Sequence, residues 1–316
     1  MAIVKPDEMN FSGKNLAFIL SGLPGTGKTT LGLSAPDPLL IDADNGVSRV
    51  NIKHRKDTSV CTTFDEVKAD VEAAKGKYKT IVIDTGGALV EMMKDFVVSH
   101  PQDFKGGAKA TGGISQQGYG HVKMLWNDFS RDLRNNFNVV FIFHESVSKN
   151  GEDGKLLYEL VVEGSTRTTV YQSADLAAHL FINDKQRYLG FTPTESYSAK
   201  ACYGISGLMP VPELKEGDPN NFLEKLFNKV RENLEKEAGE LDPKKKQYAE
   251  IMASVREFVN NIGKPEDVIP ALKVIRGLPS VLTSAKEAEA AVKARIKELN
   301  IVYDKESKSY VYAKKE

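Results

Sequence analysis

The sequence predicts an α/β protein with a mostly parallel sheet, followed by a small helical C-terminal domain that closes in a β-hairpin. Three observations carry this reading. Short apolar runs recur between segments of helical period, as in a parallel sheet with crossover helices. A glycine- and hydroxyl-rich corner, "SGLPGTGKTT" at residues 21–30, lies directly between an apolar run and a helix-forming stretch. Near residue 240 a helix that closes the strand-bearing part gives way to a polar segment and then to further helical spacing.

The strand candidates, in order, are "NLAFILS" (15–21), "PLLIDAD" (38–44), "SVCTTF" (59–64), "TIVIDT" (80–85), "VVFIFHE" (139–145), "LAAHLFIN" (176–183) and "YLGFTP" (188–193). Each is short and apolar, the pattern of strands covered on both faces. Between them, 64–75 and 119–133 have helical spacing. In the second, Val122, Leu125, Phe129 and Leu133 recur at three and four residues, a buried stripe on which Trp126 is one more packing residue. A helix over 220–237 places Phe222, Leu223, Leu226, Phe227, Val230 and Leu234 on one side and closes the first domain, 1–240. The stretch "AGELDPKKKQ" reads as a linker. The second domain, 241–316, holds helices over 247–260, 265–276 and 284–299. The last opens on a capping box from Ser284 to Glu287, and Pro270 weakens the middle one. Alternation in "IVYDKESKSYVYA" predicts the terminal hairpin.

Composition narrows the function. The 316 residues carry 43 basic and 43 acidic side chains, so no global positive field steers nucleic acid and any such surface is a local patch. Cys61 and Cys202 form no CxxC pair, which fits a reducing cytoplasmic compartment. No apolar run reaches the roughly 20 residues that span a bilayer, and "MAIVKPDEMN" lacks the apolar centre of a signal peptide. The five histidines show no zinc-ligand spacing.

The corner itself is specific. Residues Gly22 to Thr29 satisfy GxxxxGK[ST] with a strand before and a helix after, the context of a phosphate-binding Walker A loop. Its glycines let successive N–H groups turn inward as a nest, and the following helix start adds partial positive charge. Gly22, Pro24, Gly25, Thr26, Gly27, Lys28, Thr29 and Thr30 are therefore the expected nucleotide-binding set. Lys28 reaches the β and γ phosphates, and the hydroxyl of Thr29 holds Mg²⁺. Asp84, at the carboxyl end of the buried run "TIVID", is the second metal anchor, the Walker B acid. In "LLIDADNG", Asp42 and Asp44 share one face. Asp44, at the rim, reaches farther towards an attacking water, while one of the two carboxylates is available to cap the Asn45-Gly46 turn. His144, ending the apolar run "VVFIF", is placed to hydrogen-bond the γ phosphate and move the loop behind it when that phosphate leaves.

With these residues in place, the order Walker A, "IDAD", Walker B, "FIFHE" and "RYLGFTPTESYSAKACYG" resembles the RecA-type core ATPases, and more narrowly the short phage-encoded members associated with single-strand annealing and recombination. The likeness covers about residues 12–235. It implies an Mg-dependent ATP hydrolase that forms a ring or filament with ATP at subunit interfaces and binds single-stranded DNA in annealing or strand exchange, in the host cytoplasm. Asp44 matches the water-polarising glutamate of RecA-like proteins, one methylene shorter. His144 matches their γ-phosphate sensor. Lys200 matches the region that sends a basic residue into the neighbouring subunit's nucleotide, with Arg187 a second candidate. DNA-contacting loops would fall at 100–120, with Lys105 and Lys109, and at 146–155, with Lys149 and Lys155; Phe104 and Tyr119 are the aromatics nearby. The alternative is an ATP-gated loader or remodelling factor in phage replication, whose residues 241–316 dock a single-strand-binding or other replication protein. A small-molecule kinase would want an arginine-rich lid, which "PTESYSAKACYG" is not.

Overall fold

The computed structural model describes residues 13–150, 154–164 and 166–313, which divide into two compact units between residues 233 and 234. In the first, a nine-stranded sheet is built in the order β3, β2, β4, β5, β1, β7, β8, β9, with β6 paired to β5. The strands are β1 (Ala17–Gly22), β2 (Pro38–Asp42), β3 (Thr58–Val60), β4 (Thr80–Asp84), β5 (Asn138–Asn150), β6 (Lys155–Leu160), β7 (Leu176–Asn183), β8 (Gln186–Gly190) and β9 (Leu208–Val211). From β3 across to β7 every neighbouring pair is parallel, whereas β8, β9 and β6 are added antiparallel.

Helices cover both faces, as parallel strands require. On one face α2 (Phe64–Ala74), α3 (Gly86–Ser99), α4 (Gln116–Asn136) and α5 (Thr166–Gln172) pack on Ile19, Ile41, Ile83, Phe141 and Phe143. Trp126 is fully buried here, its ring centroid 4.9 Å from that of Phe141, so its packing role holds. On the other face Phe18 lies edge-on to Phe227 of α6 (Phe222–Asn260) and stacks on Phe191. The start of β1 is fastened by Asp175, whose carboxylate accepts the Ala17 N–H and pairs with Lys14. The start expected for the helix at residue 64 is found, whereas α4 begins three residues before the expected 119, on the Ser115 cap. Thr63 and Glu66 form a reciprocal capping box on α2.

The second unit contains the C-terminal part of α6, then α7 (Pro265–Gly277), α8 (Ser284–Glu298) and the hairpin β10 (Ile301–Asp304) with β11 (Ser309–Tyr312). Its core gathers Ile251, Val255, Ile262, Val268, Val292 and Ile301. Helix α7 runs through Pro270.

Four expectations need correction. The segment 238–247 is not a linker: α6 continues through it and through Pro243, because Ala, Glu, Leu, Lys and Gln, seven of its ten residues, are strong helix formers. The capping box at Ser284 is replaced by another arrangement. Thr283 is the residue before the helix and bonds Glu287, while the Ser284 hydroxyl accepts the upstream Val281 N–H. Residues 146–150 and 155 are not loop but strands of the β5–β6 hairpin; residues 151–153 of the same expected loop lie outside the described residues. Within 100–120, a bridge between Ala108 and Ile114 and the Ser115 cap of α4 give the segment defined structure.

Candidate nucleotide site

The carboxyl ends of β1, β2, β4 and β5 converge, and register fixes which residues meet there. Gly22 stands opposite His144, and Asp42 opposite Asp84. The strand carrying His144 therefore lies between the strand that launches the phosphate loop and the strand that carries the acid.

The loop from Gly22 to Gly27 turns tightly into α1 (Lys28–Gly32), with Gly25 and Gly27 both in the left-handed region. At Gly22 the requirement is contact: a Cβ would lie 2.4 Å from the Leu180 carbonyl oxygen. Helix α1 has only five residues, so charge complementarity at this turn comes mainly from loop amides and Lys28, more than from a long macrodipole. The Lys28 ammonium is buried and donates to the carbonyls of Gly22 and Leu23, both at 2.9 Å. Burial lowers its pKa, against the attraction of Asp84, Glu145 and Asp44. Thr26 ties the loop by donating to the Leu23 carbonyl.

Thr29 Oγ1 donates to Asp84 Oδ2 at 2.5 Å, so the two expected metal anchors come together across 55 residues of sequence. Burial pushes the Asp84 carboxyl up to about 6; the Thr29 bond opposes this, and the negative charges of Asp44 and Asp42 add to it. Two hard oxygens at one point suit Mg²⁺, which takes one or two protein oxygens and fills its octahedron with phosphate and water. Bound there with nucleotide, the ion would neutralise charge on the β and γ phosphates.

Asp42 and Asp44 divide the two tasks left open by their sequence. Asp42 is buried and accepts the N–H groups of Gly46 (2.8 Å) and Val47 (2.9 Å), so it caps the turn. Asp44 faces the crevice, with its Oδ2 3.8 Å from His144 Nε2 and 3.8 Å from an Arg49 guanidinium nitrogen. Burial, and after it the Lys28 charge, lowers the His144 pKa, and its Nδ1 is buried without a hydrogen-bond partner. A neutral imidazole beside a carboxylate at the rim can both sense a phosphate oxygen and orient water.

The remaining expected residues are elsewhere. The Lys200 ammonium bonds the Ala174 carbonyl, and its backbone pairs with Ala177, at the amino end of β7 and away from this chain's own phosphate loop. Arg187, on β8, instead comes onto that loop, donating from Nε to the Thr26 carbonyl at 3.0 Å. Thr30 lines a cavity of about 790 Å³ beside Gly27 and Leu31, walled by Leu180, Arg187, Met209, Val211 and Phe222. Phe104 is buried in the core, and the Tyr119 hydroxyl donates to Glu163.

A second pair was hidden from sequence reasoning. Glu145 follows His144 and so points to the opposite face of the strand, where its Oε2 comes within 2.7 Å of His179 Nδ1, without the alignment of a hydrogen bond. Both side chains are buried, and the imidazole stacks on Tyr197 with centroids 4.4 Å apart. The signal available was alternation in "FHE".

Fold and site together define a P-loop ATPase core. The sequence profile of the AAA domain family (AAA_24) matches residues 14–203, and the chain belongs to that family. Among solved structures, one ATPase domain is similar at 12% identity and a TM-score of 0.34, covering 55% of this chain and 75% of that one. No curated protein matches the chain. Among the described residues no helix is long and apolar enough to cross a membrane.

Proposed function

We propose that this P-loop ATPase is an Mg-dependent, RecA-like motor or switch that assembles into a ring or filament, binds single-stranded DNA and promotes annealing or strand exchange in phage recombination. The observation that carries the nucleotide part is the meeting of Thr29 with Asp84 beside the Lys28 loop, with Asp44 and His144 on the same rim. Lys28, Thr29 and Asp84 hold the triphosphate and its metal, Asp44 orients the attacking water, and His144 registers the γ phosphate. The neighbouring 790 Å³ cavity has the size for the nucleoside. Completion of the site by Lys200 or Arg187 of a neighbouring copy belongs to the same reading.

The DNA part is supported by the resemblance in motif order and by the exposed Lys105 and Lys109 in the α3–α4 connection and Lys149 near the end of the His144 strand. These supply charge for a phosphate backbone without base readout. The test is fluorescence anisotropy with a labelled oligonucleotide, with and without a non-hydrolysable ATP analogue, over a salt series. Affinity that rises with nucleotide and falls with salt supports the reading; affinity indifferent to both removes it.

A protein client is the second reading, and one observation favours it. The β5–β6 hairpin and its exit expose Val147, Leu156 and Val161, apolar groups better suited to a protein surface than to phosphate. Replacing Val147 and Leu156 by serine separates the two, because loss of DNA-stimulated turnover is expected only if nucleic acid uses this hairpin.

A further inference from the structure

The strongest feature outside the nucleotide site is helix α8 of the C-terminal unit. Its inward side buries Ser284, Ala288 and Val292, and Arg295 anchors it by donating to the Ile262 carbonyl at 3.1 Å. At 100° per residue, Lys286, Lys293 and Lys297 fall within an arc of about 40° on the side opposite that core. All three are exposed, and none has an ion pair or hydrogen-bond partner among the described residues.

The acids of the same helix do not cancel them. Glu287 is occupied by the hydroxyls of Thr283 and Tyr248, both at 2.6 Å, and Glu298 pairs with Arg295. That leaves Glu289 at the margin of the arc. Exposed Ala290 and Ala294 continue the same side around the axis beyond Lys297, so the helix backbone can approach a surface there while the cations reach past it.

The surrounding order is helix α7, a six-residue turn, helix α8 and then the β10–β11 hairpin, whose turn carries the exposed Lys305 and Lys308. In helix-turn-helix proteins the second helix of a consecutive pair enters the major groove, about 12 Å wide, while the first crosses the backbone; α7 and α8 are such a consecutive pair, joined by a longer turn than that motif uses. We propose that this C-terminal unit is a duplex-DNA-binding module in which α8 is the groove-facing helix and Lys286, Lys293 and Lys297 contact phosphates. The inference does not rest on the ATPase core, and the binding it describes is independent of nucleotide.

The test uses the full chain and a labelled 20-base-pair duplex, by anisotropy in EDTA without nucleotide and across a salt series. Each phosphate contact contributes about 0.9 to the slope of log affinity against log salt, so K286A/K293A/K297A should flatten that slope by roughly 3 and weaken binding at least tenfold at about 0.1 M salt. Glu289→Lys should steepen the slope by about one contact. The exposed positions leave the fold intact, which an unchanged melting temperature and basal ATP turnover confirm. Duplex binding that survives the triple substitution, or a triple variant that loses only a protein client, overturns the proposal. Lys28→Ala, which removes the nucleotide reading, is expected to leave this duplex binding unchanged, so the two fail separately.

Discussion

Replacing Asp84 by asparagine should stabilise the protein while stopping its chemistry. The Asp84 carboxyl is moved from 3.8 to about 6, mainly by burial and then by the nearby Asp44 and Asp42 charges, which outweigh the Thr29 bond and Lys28. Between those two values the native protein holds a proton that the unfolded chain has released. Stability therefore falls as pH rises through this window, and the whole penalty is present above about 6. Such a displacement corresponds to on the order of 2–3 kcal/mol. Asparagine carries no charge and still accepts from Thr29. In EDTA and without nucleotide, at pH 7.5, Asp84→Asn is expected to raise the melting temperature by roughly 5–10 °C, an advantage that disappears near pH 4. ATP turnover is expected to fall at least a hundredfold, because one metal anchor is gone. Scanning calorimetry at several pH values measures the first effect and phosphate release the second. A variant no more stable than the parent at pH 7.5, or a gain that does not change with pH, would refute this reasoning.

Three further outcomes follow from the same geometry. Gly22→Ala places a methyl 2.4 Å from the Leu180 carbonyl oxygen, so it should cost about 1–3 kcal/mol and abolish nucleotide binding, measured by denaturant unfolding and a fluorescent ATP analogue. His179→Ala removes a buried ring stacked on Tyr197 and leaves a void beside Glu145, so it should destabilise by roughly 3–5 kcal/mol, whereas replacing Glu145 and His179 together by glutamine and phenylalanine should cost less than the single change; a double-mutant cycle reads the coupling. Asp44→Asn should lower turnover at least tenfold with little change in nucleotide affinity, while Asp42→Asn, on the turn, should act mainly on stability. An Asp42→Asn enzyme slower than Asp44→Asn at equal folded fraction would reverse that assignment.

The parallel core was legible because buried strands write themselves as apolar runs, and "TIVID" ends where β4 ends. The phosphate loop was legible because its geometry demands glycine. Less visible were elements whose reason for being is a neighbour. Strand β9 contains Pro210, which a sheet tolerates at this edge position, and β6 exists because β5 extends beyond the sheet to pair with it. The continuous α6 defeated the usual weight given to a proline and a lysine cluster, since the flanking helix formers carry the helix past Pro243. In the site, sequence named Asp42 and Asp44 but could not divide their tasks, which depends on which carboxylate finds the Gly46 and Val47 amides. The Glu145–His179 contact and the Arg187 contact with the loop span 34 and 161 residues respectively, separations over which no local pattern speaks.

The measurement closest to the centre of this account is triphosphate binding and turnover by Lys28→Ala. The Lys28 ammonium is buried at the loop, held at the carbonyls of Gly22 and Leu23. Its removal is expected to weaken ATP binding at least tenfold in calorimetric titration and to reduce hydrolysis to background, with the fold preserved. A folded Lys28→Ala protein that binds and hydrolyses ATP like the parent would contradict the account.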